Sequence, residues 1–329
     1  MPDASSFSEI IRWIKDAVSA KKLILEMSYY KVDGGRVRAT DGRIVACHPY
    51  SGKEEFLVPG ADFERLIGRL GDGVKIEVDD ARGEVVLKSG RSRGTIKTKS
   101  LDDWDYPGID EEDWKPIPRG MIDALRKLTP FVSENANHIW AMGIALENGW
   151  AFATNNVALA GVQCPGLGEI HAILPIWAVD FIVDREKGLK QWCHTPNYLA
   201  FRWDNGAWMR SSLIDSDFPE QVSDMVKRAI QEDPYVEITD EFKEAFFRVA
   251  DLAETSVKVT GEEISASFGN SIITESVATE ELGGMETYWG AKYLLPVVKM
   301  ATYWDPQMWP KPAPFQGDGI IGYVVGARQ

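Results

Sequence analysis

Arg36-Val37-Arg38-Ala39-Thr40-Asp41-Gly42-Arg43-Ile44-Val45-Ala46 is the stretch on which the fold turns, because weaker copies of it return twice. The second lies in Gly149 to Ala160, through Ala153-Thr154-Asn155-Asn156-Val157-Ala158-Leu159-Ala160. The third lies in Glu262 to Ile273, through Ala266-Ser267-Phe268-Gly269-Asn270. Thr40, Thr154 and Ser267 stand 114 and 113 residues apart. An apolar strand follows each copy, then a short amphipathic helix (Pro59 to Leu70, Pro175 to Lys190, Trp289 to Met300), then hairpins. A match in three registers with the same neighbours indicates three similar modules in tandem, and a period this long makes each a small domain instead of a solenoid unit. The expected class is α+β: modules of two helices packed on antiparallel sheet, spanning 1–110, 111–225 and 226–329.

Each module is long enough to bury a core of its own. The 329 residues are 44% hydrophobic and 26% charged, with no apolar run near the roughly 18 residues of a membrane span. The start, Met1-Pro2-Asp3-Ala4-Ser5-Ser6, lacks a basic region followed by an apolar core, so secretion is not expected. Cys47, Cys164 and Cys193 form no CxxC pair and read as buried thiols in a reducing compartment. A net charge of -14 argues against nonspecific adhesion to nucleic acid. The charge is segregated, however: the six expected helices, with Lys21 and Lys22 at the end of the first, hold 16 basic and 12 acidic residues. That composition suits less acidic helices on one face and an acidic outer skin.

Module one opens with a helix from about Phe7 to Ser19, since Phe7, Ile10, Ile11, Ile14 and Val18 share one face. Asp33-Gly34-Gly35 marks a hairpin between strands Leu23 to Lys31 and Arg36 to His48. Pro59 starts the second helix, and strands Val74 to Asp79, Glu84 to Ser89 and Arg93 to Ser100 finish the module before an acidic linker, Leu101 to Trp114. Module two repeats this with a helix Pro118 to Phe131, strands His138 to Glu147 and Trp150 to Gln163 about Asn148-Gly149, and the helix after Pro175. Strands Tyr198 to Asp204 and Ala207 to Leu213 follow, then a second linker, Ile214 to Pro234, with room for a helical turn. Module three starts with a helix capped by Thr239 and running to Ala253, continues with strands Ser256 to Thr260 and Glu263 to Ile273, and ends on the apolar strand Ile320 to Val325.

No enzyme chemistry stands out. His48, His138, His171 and His194 are scattered, and the adjacent pairs Cys47-His48 and Cys193-His194 would point to opposite faces of a strand, so neither chelates one ion. There is no GxxxxGK[ST], GxGxxG or GxSxG, so no metal, cofactor or catalytic residue is assigned. Twelve tryptophans, Trp203 and Trp208 among them, would suit core packing or, as an alternative in the carbohydrate-active class, a sugar platform. A non-DNA structural scaffold is the third reading. The basic helix residues are Arg12, Lys15, Arg65, Arg69, Arg119, Arg126, Lys127, Arg185, Lys187, Lys190, Lys243, Arg248, Lys292 and Lys299. They would make an ordinary solvated face, except that every one of the six helices contributes at least two.

These residues and their order resemble the bacterial-type sliding clamp, the beta subunit of the replicative DNA polymerase III holoenzyme, over essentially the whole chain. The resemblance is carried by Ala39-Thr40-Asp41-Gly42-Arg43 with its weaker copy Ala153-Thr154-Asn155-Asn156, by Phe56-Leu57-Val58-Pro59 leading into a helix, and by the module ends Trp104-Asp105-Tyr106-Pro107 and Asp217-Phe218-Pro219. Glu244 to Leu252, Tyr293-Leu294-Leu295 and Tyr323-Val324-Val325 extend it to the third module. The shorter length and eroded motifs resemble a viral version. The resemblance implies the DNA clamp fold, a ring-forming head-to-tail homodimer, and a non-enzymatic processivity factor that tethers a DNA polymerase to its template. It implies helices lining the hole that neutralise phosphates without sequence preference, and it adds Lys21, Lys22, His138 and Trp140 to the DNA-facing residues. Polymerase and an ATP-driven clamp loader would dock through short peptide motifs in a groove of Ala141, Thr154, Asn155, Asn156, Val157, Leu159, Pro219, Val222, Val324 and Val325. The second copy lacks the Asp-Gly-basic run and the tail Gly326-Ala327-Arg328-Gln329 lacks a bulky apolar ending, which implies a groove of altered or weakened peptide preference. The subunit joint would set Tyr106 and Ile109 against Phe246 and Leu252, and the place of work would be the cytoplasm, at the nucleoid, or a host's cytoplasm for a viral clamp.

Overall fold

The computed structural model describes residues 6–19, 24, 26–104, 108, 113–135, 137–232, 234, 236–279 and 282–328. Seven α-helices are present among them: α1 (Phe7–Ile14), α2 (Gly60–Leu70), α3 (Met121–Leu128), α4 (Ile176–Asp184), α5 (Glu220–Arg228), α6 (Asp240–Ala250) and α7 (Ala291–Met300). The α1 helix starts on a capping box, in which the Ser6 hydroxyl accepts from Glu9 N while the Glu9 carboxylate accepts from Ser6 N at 2.8 Å. The Thr239 hydroxyl caps α6 by accepting from Phe242 N at 3.1 Å. Phe7, Ile10, Ile11 and Ile14 are all buried, each contributing about 1.5–3 kcal/mol of apolar transfer.

Four antiparallel sheets carry the strands. In spatial order the first runs Phe56–Pro59, Tyr29–Asp33, Arg36–Thr40, Ile44–Pro49, Trp208–Ser212, Tyr198–Trp203, Leu189–His194, Lys115–Pro116. The second runs His171–Pro175, Gly143–Glu147, Trp150–Thr154, Ala158–Gln163, Ile320–Val325, Pro312–Gly317, Ala301–Trp304, Val236–Glu237. Both follow one rule. Four strands come from the first half of one repeat; the other four are three from the second half of the next repeat and the short strand that leads into it. Two part-sheets remain: Lys75–Asp79, Glu84–Ser89, Ser92–Lys97, and Ser271–Ser276, Glu263–Phe268, Ser256–Val259, Thr287–Gly290. Because the large sheets cross from one repeat to the next, the chain packs as two discontinuous units, Met1–Ile117 with Phe181–Leu213 and Pro118–Asp180 with Ile214–Gln329.

Several expected elements break where hydrogen bonding wins over apolar pattern. Arg36 to His48 is a hairpin, not one strand. The Thr40 hydroxyl donates to Ile44 O (2.8 Å) and accepts from Gly42 N (3.0 Å), while Asp41 Oδ1 accepts from Arg43 N and Ile44 N, both at 2.9 Å. Trp150 to Gln163 breaks in the same way: Thr154 donates to Ala158 O (2.9 Å) and accepts from Asn156 N (3.0 Å), and Asn155 Oδ1 accepts from Val157 N (3.1 Å) and Ala158 N (2.8 Å). Asn155 thus replaces Asp41 as an amide acceptor. Asn156 takes the left-handed place of Gly42 (φ 70 against 86), which asparagine tolerates better than other side chains. The third copy keeps only the hairpin, closed by Gly269-Asn270 between Phe268 and Ser271; Ser267 is exposed. The helix after Pro175 stops at Asp184, since Gly188 (φ 84) turns the chain and its carbonyl accepts from Asp204 N; Lys190 therefore lies on a strand. Residues Ile139–Met142 form a 3-10 turn ahead of the strand Gly143–Glu147, and the second linker holds the whole of α5.

Candidate DNA-facing surface and peptide groove

In the unit that contains α1 and α2, the helices cover one face of the first eight-stranded sheet. His48 points to that side and meets Trp13 of α1 edge-on (5.3 Å), whereas its neighbour Cys47 points to the other, so the two cannot share an ion. On the helices, Arg12, Lys15 and Arg69 are exposed and form no ion pair with a described residue, and Arg65 pairs with Asp62 at 3.4 Å. Lys187 and Lys190 are exposed beyond α4. Arg185 departs from expectation. Its Nε donates to Trp13 O (2.7 Å), its Nη1 to Phe181 O (3.3 Å) and its Nη2 to Asp16, while its guanidinium lies 3.9 Å over the Phe181 ring. Its side chain keeps only 10% exposure, so it acts as a latch on the C-terminal end of α1 and not as a free cation. Lys21 and Lys22 lie outside the described residues.

Burial lowers the His48 pKa, against the Pro49 carbonyl and the Glu9 charge, which act to raise it. Neutral His48 uses both nitrogens: Nδ1–H donates to Pro49 O (2.8 Å), and Nε2 accepts from the Asn205 amide (3.2 Å). Burial pushes the Cys47 and Cys164 thiols up to about 11, which leaves them inert. Trp203 is buried and donates its indole N–H to Arg185 O, so it cannot serve as a sugar platform.

The unit that contains α3, α6 and α7 holds the other expected residues. Arg119 and Lys299 are exposed without an ion pair among the described residues; Arg126 is exposed at 3.8 Å from Asp123. Lys127 turns back onto Asp123 (2.8 Å) and the Asp318 carbonyl, Lys243 meets Asp240 at 3.9 Å, and Arg248 meets Glu275 at 3.1 Å. Lys292 reaches Glu134 at 2.7 Å across a cleft of about 1420 Å³ that His138, Asn155, Asn156, Tyr293 and Lys299 also line. The Lys292 ammonium holds the Glu134 carboxyl below its usual range. Expected DNA contacts and expected groove residues thus meet at one cleft.

Of the expected groove residues, Leu159 belongs to an apolar cluster with Ala145, Phe152, Ile173, Ile214 and Val226. Val222 packs against it from α5. So does Trp140, edge-on to Phe218 at 5.5 Å and half-buried, so it packs among the expected groove residues instead of standing free on the surface. Ala141 and Val324 are buried, Pro219, Val157 and Val325 are half-exposed, and Val325 N donates to Val157 O at 2.8 Å. Met142, Phe218 and Met225 pack against the same cluster; of these, the sequence marks only Phe218, through Phe218-Pro219. The tail is tied down at Ala327, whose N donates to Tyr288 O (2.7 Å) and whose O accepts from the Trp309 indole (3.2 Å). At the expected joint, Phe246 is wholly buried within its own unit, stacked with Phe242, and cannot face a partner. Leu252 is 43% exposed and can; Tyr106 and Ile109 lie outside the described residues.

No protein-family model matches the chain, and no curated protein does. Solved structures do match it end to end. A DNA polymerase sliding clamp from Caulobacter crescentus is 19% identical, with 98% of this chain and 98% of that chain covered and a TM-score of 0.79. The DNA polymerase sliding clamp from Bacillus subtilis is 18% identical over 98% and 97%, with a TM-score of 0.78. The DNA polymerase III subunit beta from Pseudomonas aeruginosa, solved bound to griselimycin, is 17% identical over 98% and 97%, also at 0.78. The chain has the α+β fold of the bacterial beta sliding clamps.

Proposed function

We propose that this protein is a DNA sliding clamp: a non-enzymatic processivity factor, built from three modules (1–110, 111–225, 226–329), that closes head to tail with a second copy around duplex DNA. One observation carries the reading. Each complete sheet joins the first half of one repeat to the second half of the next. Among the described residues, the first half of the last repeat, ending on the open strand Ser271–Ser276, and the second half of the first repeat, ending on Ser92–Lys97, have no such mate. By the pairing of Ile44–Pro49 with Trp208–Ser212, and of Ala158–Gln163 with Ile320–Val325, those edges would join between chains. Ile272 on the first edge is 72% exposed, an apolar strand edge of the kind that proteins cover. Two such joints close a ring.

Arg12, Lys15, Arg65, Arg69, Arg119, Arg126, Lys187, Lys190, Lys292 and Lys299 would face the phosphates, with Lys21, Lys22, Lys243 and His138. Few and mostly unpaired, they suit confinement and sliding in place of tight adhesion. A DNA polymerase and a clamp loader would enter the groove around Leu159 and Val222 with short apolar peptides. No described helix is long and apolar enough to cross a membrane; the proposed place of work is the cytoplasm, at the nucleoid. The test is light scattering together with retention on nicked circular plasmid before and after linearisation, with a loader present. A dimer that is kept on circles and slides off ends is expected. A monomer at micromolar concentration that gives no processivity gain would sink the reading.

A further inference from the structure

The face of the first eight-stranded sheet opposite α1, whose edge strands carry the 3-10 helix Leu101–Asp103, has its own chemistry. Register places Lys31, Arg38, Cys47, Trp208 and Arg202 in one row across it, with Arg36 and Arg210 in the rows beside. On a chain of net charge -14, these rows carry five cations and one carboxylate, Asp33. Asp33 is taken up by Arg38 (3.1 Å) and Lys31 (3.7 Å). Arg210 donates to Gly108 O (3.0 Å) and lies 5.0 Å over the Tyr198 ring. Arg36 and Arg202 are left exposed, with no acceptor among the described residues, and both open onto one concavity of about 380 Å³. Its walls are the half-buried indoles of Trp114 and Trp208; the Arg202 guanidinium sits 5.8 Å from the Trp114 ring. Gly35 and Gly206 line it without side chains, which leaves room for a ligand.

We propose that this concavity is a docking site for an acidic, aromatic-bearing peptide segment of a partner protein. A carboxylate of the segment lies between the forks of Arg36 and Arg202, and its neighbouring ring lies on Trp208. A planar guanidinium matches a carboxylate with two parallel N–H donors, and tryptophan and arginine are the residue types that dominate binding hot spots. Charge decides against a polynucleotide: two free guanidinia cannot offset a run of phosphates laid over an acidic protein, whereas one or two carboxylates find their complement inside the pocket. The site uses no residue of the DNA-facing surface or of the groove, so it stands or falls separately from the clamp reading.

The experiment uses the full chain and fluorescence anisotropy. The probes are a labelled peptide with a Glu-Phe-Glu centre in glycine-serine flanks, its Gln-Phe-Gln twin, and labelled octathymidylate. Saturable binding of the first is expected, weaker by about tenfold for the glutamine twin and for Arg36→Gln or Arg202→Gln, with Arg202→Lys between, because it keeps charge and loses the fork. Trp208→Leu is expected to weaken it as well. The melting curve of each variant shows that it is folded, and Arg36 is exposed enough for its variant alone to decide. Equal binding of both peptides, tighter binding of octathymidylate that the same variants abolish, or no saturation by about 1 mM peptide would each overturn the proposal.

Discussion

Arg185 offers a direct separation of fold from function. The basic helix pattern makes it one of the DNA-facing cations, but the packing makes it the latch that ties the end of α1 to the Phe181 turn. Replacement by leucine removes a hydrogen bond to Trp13 O at 2.7 Å and one to Phe181 O at 3.3 Å, and the Trp13 carbonyl is among those that a helix end leaves without a partner. Bonds from a charged donor contribute about 1.5–3 kcal/mol net; the Asp16 pair, half-open to water, adds about 0.5, and the guanidinium–ring contact about 0.5–1. Allowing for the packing that leucine keeps, Arg185→Leu is expected to lower the unfolding free energy by about 3 kcal/mol. Urea denaturation followed by tryptophan fluorescence reads this well, since Trp13 and Trp203 flank the site at 5.1 Å from each other. Lys187→Ala, two residues on and exposed, is expected to stay within about 0.5 kcal/mol. Were Arg185→Leu to cost under about 1 kcal/mol while weakening retention on circular DNA as much as Lys187→Ala, Arg185 would be a lining cation and the latch would be wrong.

Thr154→Val leaves the Asn156 N–H without its acceptor and the Ala158 carbonyl with only the Asn155 N–H, and is expected to cost about 1–3 kcal/mol in thermal or urea unfolding. His48 has a native pKa held below its ordinary 6.5, so the unfolded chain takes up a proton where the native one does not, and stability falls as pH drops through about 6.5. Wild type should therefore lose stability more steeply from pH 7.5 to 5.5 than His48→Gln; equal slopes would remove this group from the account. Leu159→Glu places a carboxylate at the apolar cluster under the groove and is expected to abolish polymerase-peptide binding, read by anisotropy, while leaving the dimer's mass by light scattering unchanged.

The repeat was legible because the first two copies end a strand with the same requirement: a hydroxyl and an Asx oxygen must take up the amides of a tight turn. Thr40-Asp41 and Thr154-Asn155 record that requirement directly, and the helix starts at Ser6 and Thr239 record their own caps. Local chemistry of this kind is written in neighbouring residues, so the sequence alone determines these turns and helix starts. Pairing between strands far apart in sequence is not. That Ile44–Pro49 would find Trp208–Ser212, and Ala158–Gln163 would find Ile320–Val325, follows from matching edges, a property of no single segment. The same holds for the fate of charges. Arg185 and Lys187 are two residues apart and look alike, yet one is buried against a helix end and the other faces water. Which of them can meet a phosphate was decided by tertiary packing alone, because desolvation and partner geometry, not residue type, determine what a cation is free to do.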